Sequence, residues 1–163
     1  MTSPLRIRIA TPDDASSIAG FNSALARETE GIDLDPTTIR QGVLRLLTTK
    51  DRGVYFVAEH EGRIVGQMMV TYEWSDWRNG WFWWIQSVYV DPGHRQQGVF
   101  NALYDHVHMQ AMHAPDVCGL RLYVERNNER AKRTYEKMGM AKTHYEMYEV
   151  LLPRKPLSSK EKT

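Results

Sequence analysis

The chain is poor in the features that would settle its class at once. It has one cysteine, Cys118, among 163 residues. No internal disulfide can form, and a reducing, cytoplasmic setting is expected. It has no long apolar run: the longest, around Trp81 to Val90, is too short to span a bilayer, so no membrane is expected as a partner. The opening residues, MTSPLRIRIA, lack the apolar core of a signal peptide. Charge of one sign is scarce too. The formal net charge is +1, and the basic excess sits in the tail, where Arg154, Lys155, Lys160 and Lys162 outnumber Glu161. Such a balance gives no footing for nucleic acid. Internal repeats and low-complexity tracts are missing. So are two phosphate loops: no G-x-G-x-x-G follows a strand, and G-x-x-x-x-G-K-[ST] does not occur. His106 and His113 share a helix face but lack a third ligand, so no metal is expected.

What is present is the composition of a globular chain, 42% hydrophobic and 25% charged. The length predicts one domain over 1–153 and a disordered tail over 154–163. Leu5 to Ala10 alternates as a strand does. Thr11-Pro12-Asp13-Asp14 starts a helix that ends near Gly31, and Pro36 starts another. Val54–His60 and Arg63–Tyr72 read as a hairpin turning at Glu61-Gly62, followed by a polar and aromatic loop from Trp74 to Gly80. Strand 81–90, helix 97–112, strand 119–124, helix 128–138 and strand 141–152 complete the pattern. The order predicts a mixed, mainly antiparallel α/β sheet with helices on both faces.

Two constellations carry chemistry. In the first, the strand ending at Val90 runs through Asp91-Pro92-Gly93 into Arg95-Gln96-Gln97-Gly98-Val99-Phe100-Asn101, which opens a helix. Free N–H groups and the helix dipole make such a start an anion site. Gly98 has no Cβ, so phosphate can approach the backbone. In the second, Asn128, Ala131, Tyr135 and Gly139 mark a helix from its N-cap to its left-handed stop. Ala131 and Tyr135, four apart, share a face. A tyrosine held there could reach the reactive end of an extended nucleotide cofactor. Tyr135 also reads as plain packing, and Asn128 as an N-cap only.

Together these motifs identify the chain as resembling the GCN5-related N-acetyltransferase superfamily over essentially its whole length. Val90-Asp91-Pro92 and Arg95-x-x-Gly98-x-Phe100 are similar to that family's acetyl-CoA loop, with Phe100 in place of a small residue. Asn128, Ala131, Tyr135 and Gly139 match its second motif, with Met140 in place of phenylalanine. The resemblance implies a GNAT-like three-layer fold, a twisted sheet with a bulged central strand, and acetyl-CoA as co-substrate. It implies that Val88, Tyr89 and Val90 line the pantetheine arm and that the Val88 N–H serves as oxyanion donor. Arg95, Gln96, Gln97, Gly98, Val99, Phe100, Asn101, Asn128 and Ala131 would complete the donor site. Tyr135 would protonate the departing thiolate.

Many relatives carry a basic glutamate where Gln86 stands here, and glutamine cannot accept the amine's proton. Glu73, at the end of the preceding strand, is the nearest substitute, directly or through water; it reads first as an ordinary surface acid. Glu28, Glu73, Trp74 and Gln86 are expected to border the acceptor, with clustered carboxylates and tryptophan faces favouring an ammonium group. The acceptor is expected to be a small-molecule amine. A protein lysine or N-terminus, or a non-catalytic acyl-CoA sensor, stays open as an alternative, as does a homodimer.

Overall fold

A computed structural model describes residues 4–154; the tail from 155 onward lies outside the described residues. They form two compact units, one ending at Tyr123 and the other starting at Val124.

The first unit is built on a five-stranded sheet in the order β1 (Arg6–Ile9), β2 (Val54–His60), β3 (Arg63–Ser75), β4 (Gly80–Val90) and β5 (Val117–Arg121). The first four strands pair antiparallel and β5 joins β4 in parallel. Between β1 and β2 run α1 (Ala15–Glu30) and α2 (Pro36–Thr48); α3 (Val99–His113) connects β4 to β5. Helices cover both faces. On one face, Ile18 of α1 and Val43 of α2 pack with Tyr55 and Val57 of β2. On the other, Val99 and Leu103 of α3 press against Gly66, where a Cβ would meet Val99 at 2.8 Å.

The helix signals work as the sequence implies. Asp14 accepts from the Thr11 N–H at 2.7 Å, and α1 stops at Gly31, which is left-handed at φ +65. Buried Asp14 is also gripped through both oxygens by Arg8, at 2.8 and 3.0 Å, and Arg8 reaches Glu59 at 2.9 Å. The Arg8 guanidinium holds the Asp14 carboxyl below the usual carboxylate range.

The bulge falls inside β4. Gln67 pairs with Tyr89 and Met69 with Gln86, so two steps on β3 match three on β4. Ser87 absorbs the extra residue with φ +49, a left-handed backbone uncommon outside glycine.

Two expectations need correction. The segment from Trp74 to Gly80 is not all loop: β3 runs on to Ser75, with Trp74 opposite Trp81 and Ser75 opposite Gly80. Cross-strand ring packing prolongs the ladder, with Trp74 and Trp81 edge to face at 4.9 Å. The final strand expected over 141–152 is not formed; residues 141–154 have no regular structure beyond a bend. An apolar run signals burial, but a strand needs a pairing partner, and sequence pattern does not supply one.

In the second unit α4 (Glu129–Lys137) is capped by Asn128, whose side chain accepts from the Ala131 N–H at 3.1 Å. Gly139, at φ +87, takes the left-handed position beyond its end.

Candidate active site

The site begins where β4 and β5 part. Their ladder pairs Trp83 with Leu120 and Trp84 with Arg121, and there it ends. β4 continues to Val90, paired only on the β3 side. From Ile85 to Val90, across the bulge, the β5-facing edge of β4 therefore carries main-chain groups outside any ladder among the described residues. Val88 and Val90 lie on this stretch.

After Val90 the chain turns through Pro92–His94, with Asp91 Oδ1 accepting from the Gly93 N–H at 3.0 Å and facing His94 Nδ1 at 3.1 Å. Gln96 (φ +63) and Gly98 (φ +81) are both left-handed, and α3 starts at Val99. A non-glycine residue in that conformation marks a loop whose shape is held by its surroundings. One such constraint is the Gln97 side chain, which donates to the Gly93 carbonyl at 2.9 Å. No side chain caps α3, and its first backbone bond runs from the Ala102 N–H to the Gly98 carbonyl. A helix start leaves its first N–H groups without intrahelical partners. A Cβ built at Gly98 meets no atom within 4 Å, so the space over the loop is open. These features fit a pyrophosphate. Phe100 does not block the loop: half-buried, it tilts toward Tyr104 with ring centroids 6.3 Å apart.

Arg95 is placed less simply. Its Nε donates to the Val90 carbonyl at 3.0 Å and its Nη2 meets Glu28 of α1 at 2.8 Å. Its guanidinium also lies 5.3 Å from the Tyr89 ring centroid. Tyr89 donates its hydroxyl to the other Glu28 oxygen at 2.8 Å. The Tyr89 hydroxyl and then Arg95 lower the Glu28 carboxyl below its ordinary value. Burial and Glu28 push the Tyr89 hydroxyl up.

The side chains expected to border the acceptor divide between the two faces of the sheet. Thr71, Glu73, Phe82, Trp84 and Gln86 share the face of α1 and α2; Tyr72, Trp74, Trp81 and Trp83 share the α3 face. The structure therefore separates Trp74 from Glu73 and Gln86. Gln86 donates to Thr71 Oγ1 at 2.6 Å. Glu73 is engaged through both oxygens, accepting from Trp84 Nε1 at 2.7 Å and pairing with Arg121 at 2.7 Å. Both Glu73 oxygens are thus occupied by donors on this face. Two other carboxylates are already paired, Glu28 with Arg95 and Asp33 with Arg27 at 2.9 Å.

Four residues at this face escaped the sequence reading: Asn22, Gln67, Trp84 as a donor, and Arg121. The signal for the first two was available. Gln67 interrupts the apolar run Ile64–Val70, and Asn22 falls among the apolar positions of α1; a polar residue at a buried position needs partners.

In the second unit, Ala131 and Tyr135 are partly buried on α4, and burial pushes the Tyr135 hydroxyl above its ordinary value. It therefore stays protonated through neutral pH. Among the described residues, no three His, Cys, Asp or Glu side chains gather as a metal group, and no helix is long and apolar enough to cross a membrane.

Sheet, bulge and helix start together define an acyltransferase fold. The Acetyltransferase (GNAT) family profile matches residues 20–140, and the chain belongs to that family. It is similar to a "possible acetyltransferase" from Clostridium difficile 630, at 45% identity over 92% of this chain and 99% of that one, with a TM-score of 0.87. The fold also matches a ribosomal-protein-alanine N-acetyltransferase from Brucella melitensis biovar Abortus 2308, at 19% identity over 92% and 100% of the two chains, with a TM-score of 0.74. A third match, a GCN5-related N-acetyltransferase from Ralstonia eutropha JMP134, has 20% identity over 90% and 99%, with a TM-score of 0.72. No curated protein matches the chain.

Proposed function

We propose that the protein transfers the acetyl group of acetyl-CoA to a primary amine of a small molecule. The observation that carries this reading is the continuous run of unladdered main chain along β4 into the uncapped start of α3. It offers an amide edge for a pantetheine arm and N–H groups for a pyrophosphate, with open space at Gly98 between them. In the reaction, the amine nitrogen attacks the thioester carbon and the carbon–sulfur bond breaks. Val88 N–H stabilises the carbonyl oxygen as it gains charge. Tyr135 gives its hydroxyl proton to the departing thiolate, the amine's proton leaves to water, and water returns a proton to Tyr135. Gln86 and Glu73, both engaged, orient the acceptor and do not take its proton. Phe82, Trp84 and Tyr123 supply an aromatic wall suited to an amine with an apolar or aromatic portion; Trp84 and Tyr123 sit 5.9 Å apart. The reading places the protein in the cytosol, in keeping with its single thiol.

The test is calorimetric titration of acetyl-CoA, followed by thiol release against arylalkylamines, polyamines, amino acid derivatives and lysine peptides. Absence of acetyl-CoA binding overturns the reading. Peptides acetylated far faster than every small amine would replace the small acceptor with a protein one.

A further inference from the structure

Gln67 has no exposed surface, yet it is polar. Its Nε2 donates to Asn22 Oδ1 at 2.8 Å and to the Ser87 carbonyl at 3.1 Å. Asn22 Nδ2 in turn donates to the Tyr55 hydroxyl at 3.0 Å. Asn22 and Tyr55 are buried too. The string runs from β2 through α1 and β3 to the bulge of β4, and it ends on the carbonyl of the left-handed residue.

That carbonyl belongs to the peptide group joining Ser87 to Val88. The group is planar and trans, so its C=O and N–H point in opposite directions. Holding the Ser87 oxygen from one side fixes the direction of the Val88 N–H on the other. Accepting a hydrogen bond at the oxygen also polarises the group and strengthens its N–H as a donor. The orientation of Gln67 is not free. The Ser87 carbonyl can only accept, so Nε2 must face it. The remaining atom, Gln67 Oε1, is buried without a partner among the described residues. An unmatched buried acceptor is destabilising, and an apolar side chain of similar size would remove it. The fold carries that defect where the donation to Ser87 needs an amide.

We propose that Gln67 is a positioning residue, which aims the Val88 N–H at the thioester carbonyl while Asn22 and Tyr55 hold its amide in place. The proposal rests on the acetyl-CoA reading above.

The test compares wild type with Gln67→Met, which keeps length and volume and removes the donor. The amide proton shift of Val88 is measured with acetyl-CoA and with CoA, which differ only in the acetyl group. In wild type the acetyl-CoA complex should move the Val88 proton downfield of the CoA complex; in Gln67→Met that difference should fall by more than half. CoA affinity should stay within about threefold, because the pyrophosphate and pantetheine contacts are untouched. The kcat with the best amine of the panel should fall about 10–100-fold, somewhat less than the roughly 10²–10³-fold loss of an oxyanion donor itself. An unchanged Val88 difference together with kcat within about threefold of wild type would overturn the proposal and leave the acetyl-CoA reading standing. Failure of wild type to bind acetyl-CoA overturns both. Tyr55→Phe, which removes a hydroxyl bonded to Asn22 and to the Ser87 side chain, provides a second variant should Gln67→Met fail to fold. It should shrink the Val88 difference in the same direction, and no change would count against the string.

Discussion

Glu28 and Arg95, 67 residues apart in sequence, meet at 2.8 Å and hold the start of the candidate pyrophosphate loop against helix α1. The carboxylate thus occupies a guanidinium that the loop motif offers to phosphate. Glu28→Gln keeps an acceptor for the Tyr89 hydroxyl and deletes the negative charge. Removing a like charge beside an anion site is worth about 1 kcal/mol near a surface, so acetyl-CoA should bind roughly three- to tenfold tighter by calorimetry. The Glu28 carboxyl is depressed in the folded protein, so the ion pair persists above the ordinary carboxylate range and is lost as pH falls through the depressed value. The advantage of the variant should vanish in that acid range. Weaker binding would show Glu28 to be a brace for the loop.

Gly98→Asp should abolish acetyl-CoA binding. The residue is left-handed and its Cβ direction is open, so a carboxylate there meets the phosphates directly and also strains the backbone. Equal affinities in wild type and variant would move the donor site elsewhere.

Tyr135→Phe keeps the ring and loses the proton. With the best amine of the panel its kcat should fall roughly 10²–10⁴-fold, the usual worth of general acid–base catalysis. Its affinity for CoA should not change. A rate within about threefold of wild type excludes Tyr135 as the acid.

Glu73→Gln separates a base from an orienting group. With Arg121 and Trp84 holding both oxygens, the variant should lower the rate by a similar factor at every pH. A deficit at neutral pH that recovers at high pH, where the free amine already exists, would restore Glu73 as the base.

Asp14→Asn tests the structural ion pair. Arg8 retains Glu59 but loses the negative charge and one of the two acceptor oxygens of its buried partner. The variant should lose about 1–3 kcal/mol of stability at neutral pH in a denaturant melt. Because the Asp14 carboxyl is depressed in the folded state, its contribution is present above the unfolded value and lost as pH falls through the folded one. The gap between the two proteins should therefore narrow in acid.

Local signals made much of this fold legible. Thr11, Gly31, Pro36, Asn128 and Gly139 place helix ends because capping chemistry acts within a few residues. The alternation in β4 sends Trp81 and Trp83 to one face and Trp84 to the other, as observed. The loop from Arg95 to Asn101 was readable for the same reason. What escaped depends on pairing across long separations. Arg121 with Glu73 and Glu28 with Arg95 are contacts that no short window contains. The extension of β3 through Trp74 needed the knowledge that Trp81 stands opposite. Trp74 was expected beside Glu73, yet neighbours along a strand point to opposite faces, so a shared cleft was excluded once the segment proved to be strand.

The string from Tyr55 to Ser87 also bears on how such a protein can diverge. Its side chains come from separate elements, and each interior member satisfies the next, so a change at one is not repaired by a change at its sequence neighbours. Phe82, Trp84, Glu73 and Arg121 lie outside it. On the proposed reading, a lineage can exchange these wall residues, themselves linked through Glu73, as a group and inherit a new acceptor without disturbing the amide at the bulge, whereas any revision of the string disturbs that amide.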